Sequence, residues 1–308
     1  MEELDATGYL AAPGFEAQLL AEIEDVLSVH GRLVIARGPP RTAYWAQNVW
    51  LSPMRIAIRS VTDGARQLRA LQRNWTLYSV ACHRRAALIQ AQLPHVSARP
   101  MEFPQLPPKA SLGSWSLIEQ SSILASPRCS SPFPHGQASF VEFKQGPPTR
   151  AYLKLWEALT LLGRWPAPGE TCLDAGASPG GWTWALARLG ARVLSVDRAP
   201  LDPRVAKMPG VTFRRGDAFA VRPETTGPLD WVFSDVVCYP VRLWEWVRTW
   251  LESGACRNLV CTLKFQGKSP YGPVRDFASV RGSRIVHLWH NKHELTWMLS
   301  SSRRPSGT

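Results

Sequence analysis

The feature that most constrains the fold is a regular alternation of strand-like and helix-like segments after residue 148. Seven short runs rich in apolar, β-branched or aromatic residues predict strands: TCLDAG, RVLSVD, VTFRRGD, DWVFSD, NLVCTLKF, RIVHLWH and ELTWMLS. Between several of them lie WTWALARLG, VRLWEWVRTWLESG and PVRDFASVRG, which predict helices. This alternation is typical of a largely parallel, doubly wound sheet. Such sheets bind ligands at the carboxyl ends of their strands, so we expect functional residues there.

The first half of the chain has a different pattern and predicts a smaller α+β domain. GYLAAP, FEAQLLAEIEDVL and RLVIARG predict a strand, an amphipathic helix and a second strand, and AYWAQNVW and a helical RQLRALQR follow. Ten of the 26 prolines then fall within one segment that shows no sustained helical period, which indicates a linker or an irregular region. The predicted domains are therefore an α+β domain at 1–93, a proline-rich linker at 94–148 and a doubly wound domain at 149–308.

Basic residues are distributed unevenly along the chain. The 36 Lys and Arg residues outnumber the 24 acidic residues, which gives a net charge of +12. Residues 1–31 contain no Lys or Arg, whereas residues 32–100 contain eleven Arg and one acid, Asp63. This charge favours RNA or DNA as a partner, although arginine-rich surfaces also occur in proteins from high-GC genomes.

Targeting and metal-binding signals are weak. No run approaches the roughly 18 apolar residues that a membrane helix needs, and the acidic N-terminus MEELDATGYL lacks the layout of a signal peptide. The six cysteines form no C-x-x-C pair, which is typical of buried thiols in a reducing cytoplasm. His287, His290 and His293 lie in a predicted strand and its turn. We therefore expect a cytoplasmic protein without a membrane segment or a metal.

The stretch LDAGASPGGW, at residues 173–182, allows two interpretations. Residues 176–180 fit G-x-S-x-G, the nucleophile elbow of serine hydrolases, and an Asp and a His follow in the order that such enzymes use. The oxyanion hole of this elbow needs the backbone N–H of the residue after Ser178, and here that residue is Pro179. Loss of one oxyanion donor costs about 2.7–4 kcal/mol of barrier, so a hydrolase is disfavoured.

A cofactor-binding turn fits the same stretch better. Gly176, Gly180 and Gly181 let the backbone turn sharply and approach a ligand without Cβ clashes. Asp197 ends the next predicted strand, where a carboxylate can bind ribose hydroxyls. These residues alone suit a nicotinamide dinucleotide almost as well, because G-x-S-x-x-G is one residue away from the dinucleotide fingerprint.

Two further acids favour a cationic cofactor. Asp174 directly precedes the turn, and Asp217 ends the third predicted strand. Asp174 would repel a pyrophosphate but attract a ligand with an amino group and a sulfonium, such as S-adenosylmethionine. Each acid alone could instead be a helix cap or a turn residue.

Four charged residues are candidates for catalysis. Lys154 lies in the predicted helix AYLKLWEAL, Asp235 and Lys264 end predicted strands, and Glu294 begins the last one. Each lysine alone could be a snorkelling surface residue. Methyl transfer to a sugar hydroxyl needs a base, and a free lysine, with a pKa of about 10.4, is mostly protonated at neutral pH. Burial and a second nearby lysine lower this pKa, so we expect one of the two lysines to become a usable base.

These residues resemble the FtsJ-type ribose 2′-O-methyltransferases, a family with a Lys-Asp-Lys-Glu tetrad on a Rossmann-like fold. The resemblance lies in TRAYLKLWEA, LDAGASPGGW, VDRAP, GDAF, FSDVVCYP, LKFQG and HELTW, which occur in the family order. More narrowly, SPFPHG, PPTRAYLKLWEA and the two-domain layout are similar to bacterial enzymes that methylate a cytidine ribose of 23S ribosomal RNA. In those enzymes a THUMP-type RNA-binding region precedes the catalytic domain, which implies a THUMP-like domain here.

The resemblance implies roles for individual residues. Lys264 would accept the proton, and Lys154, Asp235 and Glu294 would complete the tetrad. The residues expected to bind S-adenosylmethionine are Thr149, Gly176, Ser178, Pro179, Gly180, Gly181, Trp182, Asp197, Asp217 and Asp235. Lys268, Arg275, Arg281 and Arg284 are either phosphate contacts or ordinary solvated charges. The predicted function is RNA ribose 2′-O-methylation of large-subunit ribosomal RNA, and the alternative is a catalytically silent RNA-binding or ribosome-assembly protein with the same fold.

Overall fold

The chain forms two compact units. A computed structural model describes residues 1–265 and 272–300. The first unit comprises Met1–Met101 and Pro107–Ser139, and the second comprises Glu102–Leu106 and the chain from Phe140 onward.

The first unit, all of which the structure describes, is an α+β domain. Its strands are β1 (Glu2–Glu3), β2 (Ala6–Ala11), β3 (Val26–His30), β4 (Leu33–Arg37), β5 (Ala46–Trp50), β6 (Met54–Ala57), β7 (Trp75–Leu77), β8 (Gly113–Glu119) and β9 (Ser122–Ser126). Its α-helices are α1 (Glu16–Glu22), α2 (Val61–Leu71) and α3 (His83–Gln90). One sheet has the order β3-β4-β2-β5 and is antiparallel, and the other has the order β1-β6-β9-β8-β7 with a parallel β7–β8 pair. The predicted α+β class is confirmed, whereas the THUMP-like relationship stays a prediction.

The first predicted helix is shorter in the structure than in the sequence pattern. The pattern extends over residues 15–27, but α1 ends at Glu22 and Val26–His30 forms strand β3. In β3, Val29 is paired with Val34 of β4. Pairing with a neighbouring strand therefore overrides the local helical pattern, because the strand gains backbone hydrogen bonds that the sequence periodicity does not reveal.

The proline-rich segment is not a plain linker. Strands β8 and β9 lie inside it and are interior strands of the five-stranded sheet of the first unit. Residues 109–126 contain no proline, so the ten prolines of residues 94–148 flank a regular hairpin. Trp115 and Leu117 of β8 are fully buried in the core of this unit. The first unit therefore continues to Ser139, apart from Glu102–Leu106, whereas the sequence predicted domain boundaries at 93 and 148.

The second unit is a Rossmann-like α/β domain. Its described strands are β10 (Thr171–Ala175), β11 (Arg192–Asp197), β12 (Val211–Arg215), β13 (Trp231–Ser234), β14 (Asn258–Lys264), β15 (Arg284–Val286) and β16 (Glu294–Ser300). Its described α-helices are α4 (Tyr152–Leu162), α5 (Gly181–Arg188), α6 (Pro203–Ala206), α7 (Pro223–Thr226), α8 (Pro240–Ser253) and α9 (Gly272–Ser279). In 1–265 and 272–300, no helix has the length and apolar character needed to cross a membrane.

The sheet of the second unit positions the functional site. Its strand order over the described residues is β12-β11-β10-β13-β14-β16-β15. The first five of these strands are parallel, and β16 runs antiparallel to both of its neighbours. The strand order reverses between β10 and β13, which is where open α/β sheets bind ligands. The predicted doubly wound fold is confirmed.

The buried hairpin of the first unit generates a prediction about stability. Trp115→Ala removes a fully buried indole that also donates a hydrogen bond to Gln90 Oε1, at 2.8 Å. We expect a loss of about 3–5 kcal/mol in the free energy of unfolding of this unit, measured by urea denaturation. Leu88→Ala, which changes an exposed residue of helix α3 in the same unit, should change it by less than about 0.5 kcal/mol. Equal effects of the two variants would contradict a structural role for β8.

Candidate active site

The glycine-rich turn connects β10 to helix α5. Gly176 has a φ of +82°, and a Cβ at this position would lie 2.5 Å from Val236 Cγ2. A Cβ at Gly181 would lie 2.6 Å from Thr149 Oγ1. The helix begins at Gly181, so Pro179 lies in the turn before it. Glycine is therefore required by close packing as well as by backbone conformation.

Two acids project from the ends of the neighbouring strands. Asp197 accepts hydrogen bonds from the backbone N–H of Ser178, at 3.0 Å, and of Ala199, at 2.9 Å. Asp217 accepts one from Phe219 N, at 3.0 Å, and ion-pairs with two arginines, Arg198 and Arg242. The Phe219 N–H and the two guanidinium groups lower the pKa of Asp217, against the opposing effect of burial. Both carboxylates are thus fixed at the edge of the sheet.

These strand ends enclose a first cavity of about 330 Å³. The carboxylates of Asp197, Asp217 and Asp235 and the backbone of Gly176 contribute to its lining. Carboxylates bind hydroxyl and amino groups and attract positive charge, and the glycine lets a ligand approach the backbone. The residues present therefore fit S-adenosylmethionine.

The four candidate catalytic residues meet in one cluster. Lys154 of α4 donates to Asp235 Oδ1, at 3.1 Å, and its Nζ lies 2.5 Å from Glu294 Oε1. Lys264 Nζ lies 2.8 Å from Asp235 Oδ1 and 3.4 Å from Glu294 Oε2. The antiparallel register of β14 and β16 places Lys264 directly opposite Glu294. Each lysine therefore contacts both carboxylates.

Asp235 connects this cluster to both cavities of the site. A second cavity, of about 670 Å³, is lined by all four residues, and Asp235 also lines the first cavity. The side chains of Lys154 and Glu294 are 8% and 7% exposed, whereas that of Lys264 is 19% exposed. Of the two lysines, Lys264 therefore has the greater access to a molecule in the second cavity.

The lysine pKa differs from the sequence expectation. Burial lowers the pKa of Lys264, but Asp235 and Glu294 raise it by more, so the pKa of Lys264 lies above its ordinary value. For Asp235, burial opposes ionisation, yet Lys154 and Lys264 together hold its pKa below the usual range. The expectation of a lowered lysine pKa is wrong for this arrangement because it neglected the attraction of two carboxylates.

Asp174 also differs from expectation. Its side chain is buried beneath the turn and lines neither cavity, so it does not face a ligand directly. Its Oδ2 accepts a hydrogen bond from Thr183 Oγ1, at 2.6 Å, and its Oδ1 has no partner among the described residues. Burial raises the pKa of Asp174 to about 7. The attraction for a cationic ligand must therefore come from the strand-end acids that line the first cavity.

The hydrolase interpretation fails on geometry. Ser178 donates its hydroxyl hydrogen bond to the carbonyl of Pro200, at 2.8 Å, and not to a histidine. His290, one of the candidate partners, is held by Glu157. Asp235, the candidate acid, is engaged by the two lysines. Ser178 is therefore not activated as a nucleophile.

The predicted cofactor residues divide into three groups. Those that line the first cavity are Gly176, Ser178, Asp197, Asp217 and Asp235. Thr149 and Pro179 line the second cavity instead. Gly180, Gly181 and Trp182 line neither of these cavities. The Trp182 indole is buried against Phe233 and donates to the carbonyl of Ala151, at 2.9 Å, so its side chain belongs to the core.

Two polar residues of the site were missed in the sequence. Thr262 donates a hydrogen bond to Asp235 Oδ1, at 2.6 Å. It precedes Lys264 by two positions, so strand alternation would have placed both side chains on one face. Glu157 is buried one helical turn after Lys154. The sequence signal for Glu157 was an acidic residue within a largely apolar helix, because such an acid is rarely buried without a partner.

The other predicted phosphate contacts lie on the surface or outside the described residues. Arg275, Arg281 and Arg284 are exposed, and Lys268 lies outside the described residues. In the part of the chain that the structure describes, no group of three or more His, Cys, Asp or Glu side chains could hold a metal ion.

The fold and the site together define an S-adenosylmethionine-dependent methyltransferase domain of the Rossmann-like class. More particularly, residues 148–247 match the FtsJ-like methyltransferase family. The second unit therefore contains an FtsJ-like methyltransferase domain, and the family resemblance of its motifs is confirmed.

Several relatives carry the name ribosomal RNA large subunit methyltransferase M. The protein of Halorhodospira halophila is 39% identical over 157 residues, which cover 48% of this chain and 46% of that protein. The protein of Azotobacter vinelandii is 33% identical over 59% of this chain and 56% of its own length. The protein of Pseudomonas aeruginosa is 32% identical over 71% of this chain and 64% of its own length. The chain thus spans about half the length of several such relatives.

Asp174 gives the fold a specific pH dependence. Since burial raises its pKa to about 7, the unfolded chain ionises this group first as the pH rises. Its contribution to stability is fully present below about pH 4 and is lost as the pH rises to 7. The free energy of unfolding, measured with urea, should become larger for Asp174→Asn relative to the wild type as the pH rises. Between pH 4.5 and pH 7.5 the difference between the two proteins should grow by on the order of 3 kcal/mol. The exposed control Asp276→Asn should show no such gain, and parallel wild-type and Asp174→Asn curves would contradict the assignment.

Proposed function

We propose that this chain is an S-adenosylmethionine-dependent RNA ribose 2′-O-methyltransferase that acts on large-subunit ribosomal RNA. The observation that carries the proposal is the cluster of Lys154, Asp235, Lys264 and Glu294, which lines the second cavity and reaches the first through Asp235. One cavity suits a cationic nucleoside cofactor, and the other is large enough for a nucleotide of the substrate.

The cofactor contacts follow from the first cavity. Asp197 suits ribose hydroxyls, and Asp217 lies where a carboxylate can accept from an amino group. Asp235 lines the same cavity and would supply negative charge that attracts a sulfonium. When bound, S-adenosylmethionine supplies an electrophilic methyl group.

The second cavity provides the base. Lys264 accepts the proton of the ribose 2′-hydroxyl at Nζ, which makes that oxygen the nucleophile. Lys264 must first lose its own proton, and positive charge bound beside Asp235 favours that loss. Lys154 contacts both carboxylates and thereby holds them in place.

Charge and the relatives support ribosomal RNA as the substrate. Nine of the eleven arginines in residues 32–100 are exposed, which gives the first unit a surface suited to phosphates. We infer that this unit is a THUMP-like RNA-binding domain. The names of the relatives favour large-subunit ribosomal RNA, and the narrower sequence resemblance favours a cytidine of 23S RNA. Such a substrate implies action in the cytoplasm.

Lys264→Ala tests the proposed base. We expect transfer of tritium from labelled S-adenosylmethionine to unmodified 23S RNA to fall by at least about 10²-fold, because the general base is lost. The dissociation constant for the cofactor, measured by calorimetry, should not rise by more than about threefold, since Lys264 does not line the first cavity.

Lys207→Ala serves as the control, because this exposed lysine lies outside both cavities. It should transfer methyl groups at the wild-type rate. Undiminished transfer by Lys264→Ala would refute the assignment of the base. A wild-type protein that binds RNA without methylating it would support a silent binding protein instead.

The raised pKa of Lys264 predicts how the rate depends on pH. The unprotonated base becomes more abundant as the pH rises, so kcat/KM for S-adenosylmethionine, which reports the cofactor-free site, should increase by up to about tenfold per pH unit. The increase should continue from pH 7 to pH 9. A plateau at or below pH 8 would contradict Lys264 as a base with a raised pKa.

A further inference from the structure

Glu157 is a buried acid with an unusual set of partners. It lies three residues after Lys154 on α4, and its side chain is only 3% exposed. Its carboxylate accepts hydrogen bonds from Trp289 N, at 2.8 Å, and from His290 N, at 3.1 Å. A third comes from the ring of His290 through Nδ1, at 2.7 Å. Burial of a carboxylate is unfavourable unless such bonds compensate it, so these three contacts indicate a fixed structure.

The three contacts all fall on one turn of the chain. Trp289 and His290 lie between strands β15 and β16, immediately before Glu294 of the catalytic cluster. Leu288, the residue before them, is buried. The carboxylate of Glu157 therefore clamps this turn to helix α4, which also carries Lys154.

The clamped turn presents an aromatic ring to the second cavity. Trp289 is 36% exposed and is the most exposed of the fourteen tryptophans of the chain. It lines the second cavity together with His290 and the four catalytic residues. No ring contact involves Trp289 among the described residues, and a large indole without an aromatic partner at a cavity wall is available for stacking.

Two cationic residues line the same cavity. Lys292 can neutralise a phosphate there, and Arg150 is ion-paired with Glu142, at 2.6 Å. An aromatic face beside cationic groups is the combination that binds an unpaired nucleotide. An enzyme that reacts with the ribose of one nucleotide must also hold that nucleotide in a defined orientation.

We propose that Trp289 stacks on the nucleobase of the target nucleotide and that Glu157, through its bonds to Trp289 and His290, positions this platform. The target is then an unpaired or extruded nucleotide of RNA whose 2′-hydroxyl faces Lys264. The inference rests on the proposed function, and it adds the part of the site that orients the acceptor.

Trp289→Ala tests the stacking. We expect the KM for unmodified 23S RNA to rise at least about tenfold, in line with the loss of one base–aromatic stack, with kcat changed by less than about threefold. The KM of Trp289→Phe should stay close to the wild-type value, because phenylalanine also offers an aromatic ring for stacking. Phe143→Ala removes an exposed ring that lines neither cavity, and it should leave both constants within about twofold.

Glu157→Gln tests the positioning. Gln offers a single neutral acceptor where the carboxylate served three donors, so the KM for RNA should rise about three- to tenfold. The calorimetric dissociation constant for S-adenosylmethionine should not change, because Glu157 does not line the first cavity. A loss of kcat and of cofactor binding together, with an unchanged KM, would show a general structural role and overturn the positioning role.

A binding measurement separates this inference from the proposed function. A short single-stranded RNA that carries the fluorescent base pyrrolocytidine should be quenched by the wild type and by Trp289→Phe, but at least about twofold less by Trp289→Ala at saturation. This readout needs no methyl transfer, so quenching without methylation would refute the proposed activity and leave the platform supported. Equal quenching by wild type and Trp289→Ala, or no binding of this RNA by the wild type, would overturn the platform.

Discussion

The site depends on the ion pairs between Asp235 and the two lysines. Asp235 lies directly after β13, next to the point where the strand order of the sheet reverses. Both lysines are held against it at hydrogen-bond distance, and Glu294 balances the second positive charge. Two cations and two anions can share a mostly buried site because each charge has an opposite partner.

This balance of charge also determines the resting protonation state of the proposed base, Lys264. The two carboxylates favour the protonated form of Lys264, so the free site holds an ammonium group. Positive charge bound in the first cavity shifts the balance towards the neutral amine. In the proposed reaction, occupation of the cofactor cavity therefore prepares the base in the neighbouring cavity, and Asp235 couples the two because it lines both.

The acceptor side of the site is built on the same scaffold. Helix α4 carries Lys154 towards the ion pairs and Glu157 towards the turn that holds Trp289. One helix thus bears both the lysine that holds the carboxylates of the cluster and the acid that holds the proposed nucleobase platform. Because the positions of both depend on the packing of α4, the chemistry and the orientation of the acceptor are not independent.

Much of the second unit could be predicted from the sequence alone. The period of apolar residues determined its strands, and strand ends at Asp197, Asp217, Asp235 and Lys264 determined which side chains would converge. Local pattern carries this information, because parallel strands bring their carboxyl ends to one edge.

The tertiary structure alone decided the features that depend on long-range packing. These are the raised pKa of Lys264, the burial of Asp174 and Trp182, the pairing of Glu157 with a turn some 130 residues away, and the inclusion of β8 and β9 in the first unit. Burial and ion pairing set pKa values and contacts, and both arise only when distant segments meet.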